Sequence, residues 1–160
     1  MDHFHTKDHC KCSAAKIYSA WSRSGELEKW FLSSAVYKAD SGEKKPADSN
    51  ALPGDIYDWQ WFMYDLEESG KVISANGKDH FAFSFAGDCV VEIRLEPVHE
   101  MIRVELTQSN IPTDDMSKRE IRLGCASGWA FFLVNLKSVL EGGLDLREKD
   151  HRFTKPLLNC

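Results

Sequence analysis

Basic clusters, an apolar leader and a paired cysteine framework are all missing from this sequence of 160 residues. Nothing basic gathers to offset a formal net charge of -5 and a pI near 5.7, which argues against a nucleic-acid or anionic-membrane surface. The opening residues MDHFHTKDHCKC hold no apolar core of the kind an export signal needs. No apolar run approaches the ~18–20 residues that span a bilayer. Cys10, Cys12, Cys89, Cys125 and Cys160 are odd in number and irregularly spaced. The expectation is therefore reduced thiols in a cytoplasmic chain, with Cys89 and Cys125 as small core residues in apolar periodic stretches. Repeats and low-complexity tracts are absent as well. What is present, 42% hydrophobic and 28% charged residues, is ordinary for one globular domain that buries roughly two thirds of its unfolded surface.

Two periodicities organise the chain. In a first strand, His3, His5, Lys7, His9 and Lys11 face one way and Phe4, Thr6, Asp8, Cys10 and Cys12 the other. Ser13 caps a helix over 14–21, and Ser24 caps a second over 25–31, with Glu26 and Glu28 at its positive end. A short strand follows at 34–38, then an exposed, mobile Ser/Gly/Lys/Asp/Pro loop over 39–53. The strand expected over 55–64 places Tyr57, Trp59, Trp61 and Met63 on one face. Residues 71–75 form a weaker strand opened by Gly70, and Asn76-Gly77 makes the tight turn after it. Phe81, Phe83 and Phe85 share a face of the next strand. Cys89, Val91, Ile93 and Leu95, then Ile102, Val104, Leu106 and Gln108, alternate against polar neighbours. This is an antiparallel meander with one wet and one apolar side.

The last regular segment, 117–143, reads as one long helix. Ser117-Lys-Arg-Glu120 forms a capping box and Gly142-Gly143 a stop. Ile121, Cys125, Gly128, Trp129, Phe132, Leu136 and Val139 make one face for the apolar side of the meander. Gly124 and Gly128 each cost ~1 kcal/mol relative to alanine. Their spacing leaves a notch beside Trp129, either for another backbone or for a ligand. Leu123, Phe131 and Val134 lie on the opposite side. Residues 144–160, with Leu146, Phe153, Leu157 and Leu158, or a second subunit, would cover them.

Several of these residues carry a family resemblance. Ala15-Lys-Ile-Tyr-Ser-Ala-Trp21 and Glu28-Lys-Trp-Phe31 resemble the opening helices of the START-like (SRPBCC, birch-pollen-allergen-like) superfamily. Gly54-Asp-Ile-Tyr-Asp-Trp59, Leu106-Thr-Gln-Ser-Asn-Ile-Pro112, and Gly128-Trp129 followed by Leu133, Leu136 and Leu140-Glu141 resemble its branch of homologues of the activator of heat-shock protein 90 ATPase. The resemblance runs from Phe4 to about Gly143. It implies an α+β helix-grip fold: a bent antiparallel sheet around a long C-terminal helix, two short helices between the first two strands, and a cavity inside. It also implies one domain over 1–143, with a tail over 144–160. Function is not implied as closely, because the superfamily spans lipid carriers, cyclases, hydroxylase subunits and co-chaperone domains. Many members carry a histidine where this chain has Gln108 or Cys125, so inherited acid–base chemistry is not expected.

The ligand-binding candidates are Trp59, Trp61, Phe81, Phe83, Phe85, Val104, Leu106, Gln108, Gly128, Trp129, Phe132 and Leu136. Aromatic residues on an inner sheet face serve equally as packed core or as the wall of an apolar pocket with a few polar handles. The handles would be the indoles of Trp59, Trp61 and Trp129, the Gln108 amide and Asn135. His3, His5, His9, Cys10 and Cys12 invite a metal, but alternation sends histidines and cysteines to opposite faces, so no metal site is expected. Glu67-Glu68 and Asp114-Asp115 flank turns or a helix start and read as solvated acids that complement its dipole. Asp8, on an apolar strand face, could pair with a cation or sit at a cavity mouth, but is expected to lie solvated beyond the sheet edge. No catalytic group and no cofactor are expected. The first expectation is binding of a small hydrophobic or amphipathic molecule between sheet and helix. The second is a co-chaperone-like protein-interaction module. It would use the loop 39–53 or the Phe131/Val134 side of the long helix, the latter also a candidate homodimer contact. The third is a polyketide cyclase- or dehydratase-like enzyme.

Overall fold

The computed structural model describes residues 2–153, so the expectations placed on Leu157, Leu158 and Cys160 lie outside the described residues. The strands are β1 (Asp2–Cys10), β2 (Ser34–Lys38), β3 (Ile56–Gln60), β4 (Glu67–Ala75), β5 (His80–Phe85), β6 (Cys89–Val98) and β7 (Met101–Ile111). They form one antiparallel sheet in the order β1-β7-β6-β5-β4-β3-β2. Two short helices, α1 (Ala14–Ser22) and α2 (Ser24–Leu27), carry the chain from the β1 edge to the β2 edge. A long helix, α3 (Asp115–Leu140), comes after β7. This is the helix-grip arrangement.

Alternation decides which side of each strand is buried. Cys89, Val91, Ile93 and Leu95 of β6 and Val104, Leu106 and Gln108 of β7 are buried. In β1, His3, His5 and Lys7 are exposed while Cys10 is sealed. Asp8 sits on that inner side and is not solvated beyond the edge: it lies opposite Val104 and meets Lys137 of α3 at 3.6 Å. Lys16 of α1 donates to the Leu140 carbonyl at 3.1 Å, placing a cation at the negative end of α3. Together these contacts fasten the end of α3 to the β1 edge.

Several boundaries differ from expectation, each for a local reason. Ser13 caps α1 as anticipated, accepting from the Lys16 N–H. Ser24 does not cap α2: Arg23 occupies that position, and the helix ends at Leu27. Beyond it, the N–H groups of Phe31 and Leu32 both donate to the Leu27 carbonyl. The second of these bonds spans five residues, so the chain widens out of regular helix and buries Trp30, Phe31 and Leu32 together. Three consecutive residues of a straight helix would span about 200° of its surface and could not all face the core. β3 stops at Gln60 and the chain turns through Met63, whose φ is 72°, so Trp61 and Met63 do not extend the strand. The loop over 39–53 is pinned: Lys45 pairs with Asp55 at 2.5 Å, and the Ala51 N–H donates to Ser22 at 2.7 Å.

Gly70 does not open β4, which begins at Glu67 and pairs Gly70 with Tyr57. A Cβ at Gly70 would stand 2.5 Å from two carbons of the Tyr57 ring. That ring is pinned by its hydroxyl, which donates to the Ser84 carbonyl at 2.6 Å. Gly70→Ala is therefore expected to lower stability by about 1–3 kcal/mol, read from a urea midpoint, because the ring must leave its place. An unchanged midpoint would contradict this contact.

α3 also departs from a single capped helix. Asp114, not Ser117, is the N-cap, accepting from the Ser117 N–H at 2.9 Å. The helix opens with an α-turn over Asp115–Ser117 and widens to a π-helix over Lys118–Leu123. It then runs as α-helix over Gly124–Leu140. The wide turn rotates this α-helical part relative to the expected phase. The buried face is Gly128, Trp129, Phe132, Leu133, Asn135, Leu136 and Leu140, while Ile121, Cys125 and Val139 are half-buried. By length and composition this helix could cross a membrane, contrary to expectation, with mean hydropathy 1.4 over an 18-residue window. Its large apolar side chains Trp129, Phe132, Leu133 and Leu136 fill the concave side of the sheet.

Candidate functional site

Most of the space between sheet and helix is packed with rings. Phe31 is the hub, its centroid 5.2 Å from Trp30, 5.6 Å from Trp59, 5.2 Å from Trp129 and 4.8 Å from Phe132. Trp21 joins Trp30, Phe83 and Trp129 on one side, and Trp59 stacks on Tyr57 on the other. A cavity of about 40 Å³ remains, bounded by Phe31, Phe85, Cys125, Gly128, Trp129 and Phe132. That is room for a water or two, not for a lipid.

A larger space opens at one end of the grip. A groove of about 250 Å³ is lined by Trp61, Tyr64, Leu66, Phe85, Ala86 and Cys125, with Glu67 and Glu68 at its rim. It shares Phe85 and Cys125 with the inner cavity. Irregular backbone meets here from three directions: the left-handed turn at Met63, the β5–β6 turn with Ala86 at φ 53° and Gly87 at φ 84°, and the passage from π- to α-helix at Gly124. π-turns of this kind occur frequently at functional sites. Glu68 lies beside Trp59 in the β3–β4 register, on the concave side of the sheet. Its Oε1 accepts from the Ala86 N–H at 2.8 Å. It is half-buried, whereas Glu67 is exposed as expected.

The ligand-binding candidates fall into three places. Trp59, Phe81, Phe83, Val104, Leu106 and Leu136 are sealed in the core. Gly128, Trp129 and Phe132 bound the inner cavity, Trp61 the groove, and Phe85 both. Gln108 is fully buried, and its Oε1 accepts from the Trp129 indole at 2.9 Å. Its Nε2 is buried and has no acceptor among the described residues. Asn135 is also consumed by the fold, donating to the Trp30 and Asp145 oxygens and accepting from the Leu146 N–H. Among the described residues, the indole N–H groups of Trp59 and Trp61 have no acceptor. Sequence reasoning missed Phe31, Tyr64, Leu66, Ala86 and Glu68, and placed Cys125 in the core. Only the Lys29-Trp-Phe31 run held a signal for one of them. The others depend on turns that alternation does not describe.

Charged and nucleophilic groups elsewhere are committed or quiet. Burial, and then the adjacent Cys12 thiol, pushes the Cys10 thiol up to about 12, so it is not a thiolate nucleophile near neutral pH. His80 lies between Ser74 and Glu92, each at 3.1 Å. Among the described residues, no three His, Cys, Asp or Glu side chains are grouped to hold a metal ion. On the outer side of α3, Leu123 and Val134 stay exposed, as do Leu144, Leu146 and Phe153. The segment after α3 is held by Asn135, which bonds Asp145 and Leu146, by Ser138, which donates to the Leu144 carbonyl, and by Arg147. Arg147 donates to the Leu32 and Glu28 carbonyls, both at 2.9 Å, and grips the Asp145 carboxylate.

Comparison with known proteins fits this geometry. The family model described as Activator of Hsp90 ATPase homolog 1-like protein matches residues 11–141. Among solved structures, SSP2350 from Staphylococcus saprophyticus superposes with a TM-score of 0.71 at 20% identity, over 91% of this chain and 96% of its own. The Aha1 dimer from Colwellia psychrerythraea does so with a TM-score of 0.69 at 24% identity, over 89% and 98%. CalU16 from Micromonospora echinospora gives a TM-score of 0.65 at 17% identity, over 90% and 77%. At these identities the structural likeness speaks for the fold alone. No functionally curated protein matches the sequence significantly. With the family model spanning most of the chain and the helix grip in place, the protein belongs to the Activator of Hsp90 ATPase homolog 1-like family, a branch of the START-like superfamily.

Proposed function

We propose that this chain binds a small apolar or amphipathic molecule at the open end of the helix grip and carries out no catalysis. The observation that carries this reading is the apolar groove of about 250 Å³, which shares Phe85 and Cys125 with the cavity beside Gly128 and Trp129. Small-molecule sites are typically concave, mostly apolar and sparsely polar. Trp61 supports the assignment, because it lines the groove and its buried indole N–H lacks an acceptor among the described residues. The sealed candidates, Trp59 to Leu136, would act by holding the rings behind the groove in place. The free thiols of Cys10, Cys12 and Cys89 favour a reducing, cytoplasmic compartment. Titration with short aromatic alcohols, monitored by tryptophan fluorescence, is expected to give a saturable change. Cys125→Trp, which fills the groove floor, is expected to weaken it at least about tenfold while leaving the circular dichroism unchanged. A flat titration of the unaltered protein would end this proposal.

A protein contact is favoured by a separate observation. The sequence from Leu123 to Leu136 contains no charged residue, and Leu123 and Val134 are 64% and 49% exposed on the outer side of α3. An uncharged stripe suits a second copy of the same chain, since a two-fold contact sets one patch against itself. The Colwellia relative is an Aha1 dimer, which supports that choice. Sedimentation velocity over a concentration series is expected to show a dimer that Val134→Glu dissociates. A chain that stays monomeric throughout, yet is captured by a purified chaperone of the Hsp90 class, would move this face to a co-chaperone role.

A further inference from the structure

The groove is aromatic on its walls and acidic at its rim, and that combination bears on what enters it. Trp61, Tyr64 and Phe85 contribute three rings, with Trp61 and Phe85 6.2 Å apart and nearly perpendicular. Among the described residues, the charged side chains lining the groove are Glu67 and Glu68, with no Lys, Arg or His. Glu68 is anchored rather than free to swing away. One carboxylate oxygen accepts from the Ala86 N–H, which fixes the charge between β4 and the β5–β6 turn. A carboxylate beside apolar rings repels an anionic head group and attracts a cationic one. Aromatic faces add to that preference, because the ring quadrupole is negative over its face. The fold itself uses such attraction where Arg147 and Lys149 stand 5.1 and 5.0 Å from the centroid of Phe62.

Resting on the small-molecule reading above, we infer that the groove selects an organic cation: a free small-molecule amine or ammonium on an aromatic or short aliphatic body. The ammonium sits beside Glu68, and the apolar body lies against Trp61, Phe85 and Cys125. Fatty acids and other carboxylates are disfavoured occupants.

Three near-isosteric probes differing in charge test this on the full chain by isothermal titration calorimetry: phenethylamine, phenethyl alcohol and phenylacetate. The amine is expected to bind about tenfold tighter than the alcohol, with the carboxylate weakest, and added salt is expected to narrow the gap. Glu68→Gln keeps an acceptor for the Ala86 N–H and is expected to reduce the amine to the affinity of the alcohol, leaving the alcohol unchanged. Equal binding of amine and alcohol, or a preference that survives Glu68→Gln, overturns this inference and leaves the small-molecule reading standing. Failure of all three probes overturns both. Should Glu68→Gln not fold, the charge series and its salt dependence in the unaltered protein still decide the matter.

Discussion

Trp129→Ala is expected to remove about 5 kcal/mol of unfolding free energy, a large share of what a domain of this size possesses. The side chain is 3% exposed and packs against Trp21, Phe31, Phe83 and Phe85 at centroid distances of 5.2–6.4 Å. Truncation of a core Trp costs ~3–5 kcal/mol through lost burial and the cavity left behind. A second cost arises at Gln108, which is fully buried and would lose the donor to its Oε1. An orphaned buried acceptor costs about 1–3 kcal/mol. Trp129→Phe keeps an aromatic ring but removes the N–H together with the pyrrole part of the indole, so an intermediate loss of about 2–3 kcal/mol is expected. Urea denaturation monitored by far-UV circular dichroism reads both. A loss below about 2 kcal/mol for the alanine variant would mean that the ring cluster is not the centre of the core.

Arg147→Ala is expected to cost about 3 kcal/mol, although the residue lies outside the 11–141 span of the family match. Its side chain is 2% exposed and donates to two main-chain carbonyls and to Asp145. Removing it leaves the Leu32 oxygen unpartnered in the interior, where Leu32 is fully buried. Arg147→Lys should recover only part of the loss, since an ammonium cannot reproduce the planar fork that meets three acceptors at once. Acid should act on the same link. Burial alone would raise the Asp145 carboxyl, but hydrogen bonds from Arg147, Lys149 and Asn135 outweigh it and hold the group well below the usual carboxylate range. A folded pKa below the unfolded one gives stability that is fully present above the ordinary carboxylate pKa. That stability is lost as pH falls from there through the folded value. Stability measured from neutrality down to about pH 3 should therefore fall, and Asp145→Asn should flatten that limb.

Much of the scaffold can be read directly from alternation. The inward positions of β6 and β7 are given by Cys89 to Leu95 and by Val104 to Gln108, because a period of two is unambiguous when one side is wet. Phe81 and Phe83 of β5 follow it too, although Ala82 between them is also buried. Local cues fared worse where two candidates compete. Asp114 caps the long helix by accepting from the Ser117 N–H, so Ser117, the expected cap, lies inside its first turn. The π-turn over Lys118–Leu123 then changes the phase of the helix, an effect that no 100° wheel contains. Gly70 resembles a strand breaker in sequence, yet it makes room for the ring of Tyr57 on the neighbouring strand. The groove was the least legible part. Its walls come from three turns brought together by the tertiary fold, and Glu68 resembles any other surface acid until β4 is paired with β3.

The most direct test of ligand binding at the open end is an NMR titration of the isotope-labelled chain with phenethylamine, observing amide and indole N–H signals. The Trp61 indole and the amides of Phe85, Ala86 and Cys125 should shift saturably, while the indoles of Trp21 and Trp59, sealed in the core, should stay in place. Saturable shifts confined to the outer side of α3, or no shifts at all, would contradict a binding site in the groove.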